Sequence, residues 1–426
     1  MIREFWVENF LSIKERQTLN FETKSKEEEW ASACIADDEK RINKLVVIYG
    51  PNASGKSNIL LAIQNIFELL FYARTKRTSP VKSRKPFALT TNAPTRMFVS
   101  FYANHIRYDY EIAYTKDYII SEKMEWYPNG AKATFYERQY VAQDARVELK
   151  FGSIVGISAK TKEIFLQNTL NNHSVLSVFE KISFEADAKP IADLYYWMAS
   201  YMHEVNIMQD SLVTTLKSIE DEKKPKRFFL DMLRKADFNI VDFHTKTSKV
   251  KIPTEQLNLP DNSKVNNDYV EMERMEAMFK SIAGDDSFEL SLDEQSQGTR
   301  KFLANLSILY RAINENHIFL VDEIDSEIHD DLLAYYLNSF VMNTKESQLI
   351  FTTHESSLLI EELFNTHRDF VFFAEKNREG AYSEYTRADE YGLHKNLSFY
   401  KSYRNGRLGA IPQLGSPLIY IEDEKD

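Results

Sequence analysis

The sequence predicts an α/β fold: a mixed, mainly parallel sheet flanked by helices, joined to an antiparallel meander and interrupted by a mostly helical inserted lobe. Three observations point there. Residues 44–72 read as a buried strand, a glycine loop and a helix. Residues 96–140 switch to a period of two. From residue 287 onward, short apolar strands alternate with helical patterns, which a parallel sheet covered on both faces requires. The chain therefore divides into 1–174, the first half of the α/β body; 175–286, the inserted lobe; and 287–426, the second half.

A chain of 426 residues holds one large or two ordinary domains, and 43% hydrophobic residues are ample for a core. The formal net charge of −11 repels nucleic acid and anionic membranes, so contact with either needs a local basic patch. The single cysteine, Cys34, excludes an internal disulfide and suits a reducing cytoplasm. No signal-peptide pattern opens the sequence, and no apolar run approaches the ~20 residues that span a bilayer, so no membrane-embedded part is expected.

Taken in order, residues 3–9 and 17–22 read as a strand pair leading into the main sheet, and 24–43 as a polar surface loop. Lys44-Leu45-Val46-Val47-Ile48-Tyr49 is an apolar strand, and Ile59, Leu60, Ile63, Ile66, Leu69 and Leu70 recur at helical spacing after it. Between them Gly50-Pro51-Asn52-Ala53-Ser54-Gly55-Lys56-Ser57 fits G-x-x-x-x-G-K-[ST], a phosphate-binding loop in the right strand–loop–helix context. Its backbone N–H groups, with Gly50, Asn52, Ala53, Ser54, Gly55 and Asn58 along the loop, would curl round a nucleotide's phosphates. Lys56 would reach the β- and γ-phosphates and Ser57 would ligate Mg²⁺, which makes a nucleotide with Mg²⁺ the expected ligand.

Residues 74–85 carry Arg74, Lys76, Arg77, Lys82, Arg84 and Lys85 around Pro80. Such a charge run is most often a solvated loop, yet in an acidic protein it is the best local candidate for a contact with a nucleic-acid backbone. Strands then follow at 98–102, 108–114, 119–126 and 133–140, with Pro128-Asn129-Gly130 as a turn; their aromatics are read as packing residues rather than base-stacking ones. In the lobe, apolar spacing predicts helices over 191–205, 212–219 and 228–233, and no heptad persists long enough for a coiled-coil arm. Residues 244–286 are polar and read as loop-rich. The second half offers a helix over 298–313, a strand over 318–321, a helix over 331–341 and strands over 349–351 and 370–373; the acidic end, 422–426, is expected to fray.

In His317-Ile318-Phe319-Leu320-Val321-Asp322-Glu323, an apolar strand delivers two acids to the sheet's carboxyl edge. Asp322 would hold Mg²⁺ directly or through water, and Glu323 would polarise an attacking water.

Leu292-Asp293-Glu294-Gln295-Ser296-Gln297-Gly298-Thr299-Arg300, at a helix start ahead of Asp322, resembles the signature motif of the ABC-type ATPases. It has the S-x-G-T-R form of their SMC/RecF/OLD-like branches, with Gln297 where the first signature glycine stands. The resemblance implies that Ser296 and Gly298 meet the γ-phosphate held by a second copy, so that a homodimer sandwiches two ATP molecules. It further implies that His354, in Gln348-Leu349-Ile350-Phe351-Thr352-Thr353-His354, is the switch histidine, and that Ser326-Glu327-Ile328-His329 is the loop along the dimer seam. Gln167 is the candidate for the metal-side glutamine that precedes the inserted lobe, with Gln139 and Gln143 as alternatives.

More narrowly, the chain resembles compact ATPases of prokaryotic phage-defence and abortive-infection systems, of the AriA and AbiL types, and the ATPase part of OLD nucleases. The residues that carry this likeness are Glu294-Gln295-Ser296-Gln297-Gly298-Thr299-Arg300 and Tyr403-Arg404-Asn405-Gly406-Arg407-Leu408-Gly409-Ala410-Ile411-Pro412. Phe373-Ala374-Glu375 only begins to imitate a TOPRIM nuclease, without the Asp-x-Asp element that such a site requires. The expected function is then an ATP-hydrolysing dimer that senses infection and controls a separate effector, a TOPRIM-like nuclease or a toxin. A RecF-like genome-maintenance ATPase that clamps DNA is the alternative.

Overall fold

The computed structural model describes the chain except residues 24–30, 38–39, 82, 84, 183–187, 204–208, 221, 254–268, 395 and 413–426. In chain order it runs β1 (Ile2–Glu8), β2 (Gln17–Asn20), β3 (Cys34–Asp37), β4 (Lys40–Asn43), β5 (Leu45–Tyr49) and α1 (Lys56–Phe71). The meander follows as β6 (Thr95–Ala103), β7 (Ile106–Tyr114), β8 (Ile119–Trp126), β9 (Ala133–Val141) and β10 (Arg146–Phe151), then α2 (Ala159–Asn168), α3 (Lys189–Tyr201) and β11 (Met202–His203). Next come α4 (Gln209–Glu220), α5 (Lys223–Lys235), β12 (Ile240–Pro253), β13 (Tyr269–Ala283), β14 (Asp286–Ser291) and α6 (Gln297–Asn314). The remaining elements are β15 (Ile318–Val321), α7 (Asp330–Asn343), β16 (Gln348–Thr353), α8 (Glu362–Thr366), β17 (Val371–Lys376), β18 (Ser383–Arg387) and α9 (Phe399–Arg404).

These elements form two units: Met1–Val205 with Asn316–Ile324 and Lys345–Asp426, and Asn206–Glu315 with Asp325–Thr344. In the first unit a six-stranded sheet has the order β11-β15-β16-β5-β17-β18, parallel from β11 to β17 and antiparallel only at β18. Its central strands are apolar throughout because both faces are covered: β5 and β15 are buried at every position. The second sheet of this unit is antiparallel, in the order β10-β9-β8-β7-β6-β1-β2. The N-terminal strand pair therefore joins the meander and not the parallel sheet, with β1 paired antiparallel to β2 on one side and β6 on the other.

Helix α1 packs against β15 and β16 of the parallel sheet and against β6 of the antiparallel one. Its apolar stripe, Ile59, Leu60, Ile63, Ile66 and Leu70, is fully buried, each side chain contributing roughly 1.5–3 kcal/mol. Gln348, fully buried at the start of β16, stitches the sheets together: its amide accepts from Ile2 N–H at 2.9 Å and donates to Ile2 O at 3.0 Å and Asn43 O at 3.1 Å. The meander's aromatics pack as expected, with Phe101, Tyr110, Phe135 and Tyr136 fully buried.

Within the second unit, α4 and α5 pack on β12, and Phe229 and Phe243 meet at ring-centroid distances near those of Phe243 and Phe279, 6.4 and 6.0 Å. The region read as loop-rich is instead a three-stranded antiparallel sheet, β12-β13-β14. Its polarity hid the strands: Lys246 stands opposite Glu276 and Lys249 opposite Glu273, so cross-strand pairs of opposite charge replace apolar alternation on an exposed ribbon. Pro253 ends β12, an edge strand of that sheet, where proline is tolerated; Pro260 and Asp261-Asn262-Ser263 lie outside the described residues. The loop expected over 24–43 likewise contains the β3–β4 hairpin. The acidic end falls outside the described residues. No helix among the described residues is long and apolar enough to cross a membrane.

Candidate functional site

The carboxyl edge of the parallel sheet gathers three of the sequence motifs. Gly50 follows β5, Asp322 follows β15 and His354 follows β16, with β16 lying between the other two strands. Two ladder spacings, about 10 Å, therefore separate the strand that leads to the glycine loop from the one that leads to the acids.

The loop leaves β5 at Gly50 and enters α1 at Lys56. Ala53 has φ 63° and Gly55 φ 103°, left-handed values that expose successive N–H groups on one side of the turn. A side chain at Gly55 would be strained by its φ and blocked as well: a Cβ would lie 2.1 Å from Ser383 Oγ and 2.8 Å from Ser12 Oγ. Lys56 is buried, its ammonium donating to Gly50 O at 2.9 Å and Pro51 O at 3.2 Å. Ser54 Oγ is buried without a hydrogen-bond partner among the described residues. Asn52 and Ala53 are exposed, and Ser57 and Asn58 half-buried at the helix start.

The outer side of the loop is tied down by residues that no sequence motif singles out. Ser383 Oγ donates to Ser54 O at 2.6 Å, and Tyr385 OH donates to Gly55 O at 2.6 Å. Ser12, in the turn after β1, has its Oγ 2.7 Å from Ser383 Oγ and accepts from Asn58 Nδ2 at 2.7 Å. Ser383 and Tyr385 face the loop because β18 alternates inward and outward, but no local pattern marks them. Only the fold brings residues so distant in sequence together.

The acid pair is held differently. Glu323 has φ 49°, which costs a non-glycine residue roughly 1–2 kcal/mol. Its N–H donates to Thr352 Oγ1 at 2.8 Å, and the same hydroxyl donates to Asp322 Oδ1 at 2.6 Å. The Glu323 side chain is 59% exposed, with Oε1 3.9 Å from Nε2 of His354. Asp322, Glu323 and His354 are thus brought together at one end of β15 and β16. Thr352 was visible in the sequence only as part of the histidine segment.

Gln167 is placed elsewhere: it is exposed in the last turn of α2, its amide donating to Glu163 Oε1 at 3.0 Å. Among the described residues no hydrogen bond joins it to the glycine loop or the acid pair. Gln139 lies exposed on β9 and Gln143 in the following turn.

In the second unit, Ser296 is the N-cap of α6, its side chain accepting from Thr299 N–H at 3.1 Å. A cap of this kind is worth about 1 kcal/mol. Gly298 is required by close approach, since a Cβ there would lie 2.6 Å from Glu327 O. The signature-like segment and the segment Ser326-Glu327-Ile328-His329 therefore touch backbone to backbone, with Glu327 itself at φ 66°.

The basic segment is fixed at its backbone. Asn172 Nδ2 donates to Lys76 O at 2.8 Å and Ser79 O at 2.6 Å, and Arg74 N–H donates to His173 Nδ1 at 3.1 Å. Burial lowers the His173 pKa to about 4, so its ring stays neutral and keeps that acceptor. Lys76, Arg77 and Lys85 are exposed; Lys82 and Arg84 lie outside the described residues.

Solved structures similar to the chain include an SMC head domain from Thermotoga maritima, 11% identical over 91% of this chain and 98% of that one, with a TM-score of 0.40. Another is an SMC head bound to the C-winged helix domain of ScpA, 15% identical over 95% of this chain and 99% of that one, with a TM-score of 0.39. Comparison with curated proteins finds no match. The family model described as "AAA domain, putative AbiEii toxin, Type IV TA system" matches residues 45–361, well over half of the chain, and the chain belongs to that family of AAA-type ATPase domains.

Proposed function

We propose that this protein is a Mg²⁺-dependent ATPase whose ATP-bound dimer regulates a separate effector in anti-phage defence, in the manner of the AriA and AbiL types. The observation that carries the ATPase reading is the convergence of Lys56, the Asp322–Glu323 pair and His354 at the carboxyl ends of neighbouring parallel strands. The donor set fits the metal: the Ser57 hydroxyl and the Asp322 carboxylate are hard oxygen ligands, and Thr352 occupies only Oδ1 of Asp322. Mg²⁺ held by Ser57 and Asp322 would neutralise charge on the phosphate oxygens. Lys56 exchanges its carbonyl partners for the phosphates, and the N–H groups of Gly55, Lys56 and Ser57 at the helix start take the remaining oxygens. Glu323 receives a proton from the attacking water, while His354 donates toward the γ-phosphate.

Ser296 and Gly298 at the start of α6 serve the nucleotide of a second copy, and the segment at Glu327 lies along that seam. The family's link to toxin and type IV toxin–antitoxin systems supports the defence reading. On that reading the effector is a toxin or TOPRIM-like nuclease, acting in the cytoplasm. A DNA-clamping genome-maintenance role is the second reading. It is favoured by the fixed loop that displays Lys76 and Arg77, and would show as tight, salt-dependent duplex binding.

The test separates binding from hydrolysis. Glu323→Gln should bind ATP, hydrolyse it about 100- to 10,000-fold more slowly and accumulate as a dimer in light scattering. Lys56→Ala should not bind at all. Wild-type hydrolysis in Glu323→Gln, or wild-type ATP affinity by calorimetry in Lys56→Ala, would remove the assignment.

A further inference from the structure

We infer that Thr352 is a positioning residue for hydrolysis, acting through the Asp322–Glu323 pair. The inference rests on the ATPase reading above and gives a role to a residue that the reading assigns none in hydrolysis. Thr352 is fully buried in β16, the strand that pairs with β15 as it delivers the two acids.

One residue here spans the whole turn after β15. The Thr352 hydroxyl donates to Asp322 Oδ1 at 2.6 Å and accepts the Glu323 N–H at 2.8 Å, while Thr352 O accepts the Ile324 N–H at 3.1 Å. The direction of these bonds follows from chemistry. An ionised carboxylate only accepts, so the single hydroxyl proton goes to Asp322, and a lone pair is left to receive the peptide N–H of Glu323. A hydroxyl can serve both groups at once; a methyl group of the same shape serves neither.

The consequence falls on Glu323. Its φ of 49° is a conformation that a glutamate holds only when its surroundings impose it. The Thr352 hydroxyl is the partner that its N–H finds there, and the resulting turn leaves Oε1 3.9 Å from His354 Nε2. The hydroxyl of the next residue, Thr353, serves a different group, accepting the Glu355 N–H at 2.9 Å beyond the histidine. Losing the Thr352 hydroxyl therefore frees the glutamate, while the Asp322 carboxylate, Ser57 and the glycine loop with its bracing remain for Mg²⁺ and the phosphates, so rate should fall far more than affinity.

The experiment compares wild type, Thr352→Val, Thr352→Ser and the double variant Thr352→Val/Glu323→Gln in Mg²⁺-ATP hydrolysis and in ATP affinity. Thr352→Val keeps the branched shape and should lower kcat about 10- to 100-fold, with KM and affinity within about 3-fold of wild type. Thr352→Ser should restore most of the rate. In the Glu323→Gln background the valine should cost less than about 2-fold more, because two changes that act through one group do not add. Full hydrolysis in Thr352→Val would overturn the inference, as would a rate loss that multiplies with that of Glu323→Gln. Thermal melting of each variant guards against misfolding, and Thr352→Ala, with the same hydroxyl removed and no bulk added, replaces a valine variant that does not fold. A wild-type protein that binds ATP but does not hydrolyse it would instead overturn the ATPase reading, and this inference with it.

Discussion

Around Gly55 the chain is tied from outside at several points, whereas at Glu323 a comparable departure from ordinary backbone geometry hangs on one residue, Thr352. Ser383 and Tyr385 each donate to a loop carbonyl at 2.6 Å, and Ser12 braces Ser383 and Asn58. Bonds to the carbonyls leave the opposite side of the loop, with its N–H groups, available for an anion. Among the described residues the acid pair takes its side-chain hydrogen bonds from Thr352, and its glutamate is exposed. The loop is braced by three residues from two other segments; the turn at Glu323 is held by Thr352 alone, through its hydroxyl and its carbonyl, and leaves the glutamate side chain exposed.

The largest effect is expected where the brace is tightest. Gly55→Ala would place a methyl group 2.1 Å from Ser383 Oγ at a φ that alanine disfavours, so it should destabilise the protein by about 2–4 kcal/mol and abolish ATP binding. Thermal melting and calorimetric titration check both parts; a variant with normal affinity would mean that the brace is not tight.

Glu323→Gly probes the other side of the comparison. Glycine accepts φ 49° without strain but adds freedom to the unfolded chain, so stability should change by less than about 1 kcal/mol while hydrolysis drops about 100- to 10,000-fold. A large loss of stability would show that the acid pair is part of the scaffold after all.

The smallest effect belongs to a single strut. Tyr385→Phe removes one donor from Gly55 O and should cost about 1 kcal/mol, read as roughly 5-fold weaker ATP affinity with kcat unchanged. This is the mirror image of the result expected for Thr352→Val. If Tyr385→Phe lowered kcat and spared affinity, the division between a braced binding loop and a loosely held acid pair would fail.

The motifs with a strong local period were legible from the order of the residues alone. The glycine loop between an apolar strand and an amphipathic helix, and the acids at the end of Ile318–Val321, are short-range patterns whose period, length and flanking residues carry their own signal. Four strands of the meander, β6 to β9, were legible for the same reason, as was the helix read over 298–313, which is α6; β10 was not read. Two kinds of information were not. The β12–β13 ribbon escaped because its strands are paired by charge, so their polarity imitates a loop until the partner strand is known. The struts of the site escaped because Ser12, Ser383, Tyr385 and Thr352 are ordinary residues that act only through partners far along the chain. Ser383 lies 329 positions from Ser54, and Thr352 lies 29 from Glu323. These contacts were settled by folding, since a hydroxyl's role depends on which carbonyl, carboxylate or N–H the folded chain places within about 3 Å of it.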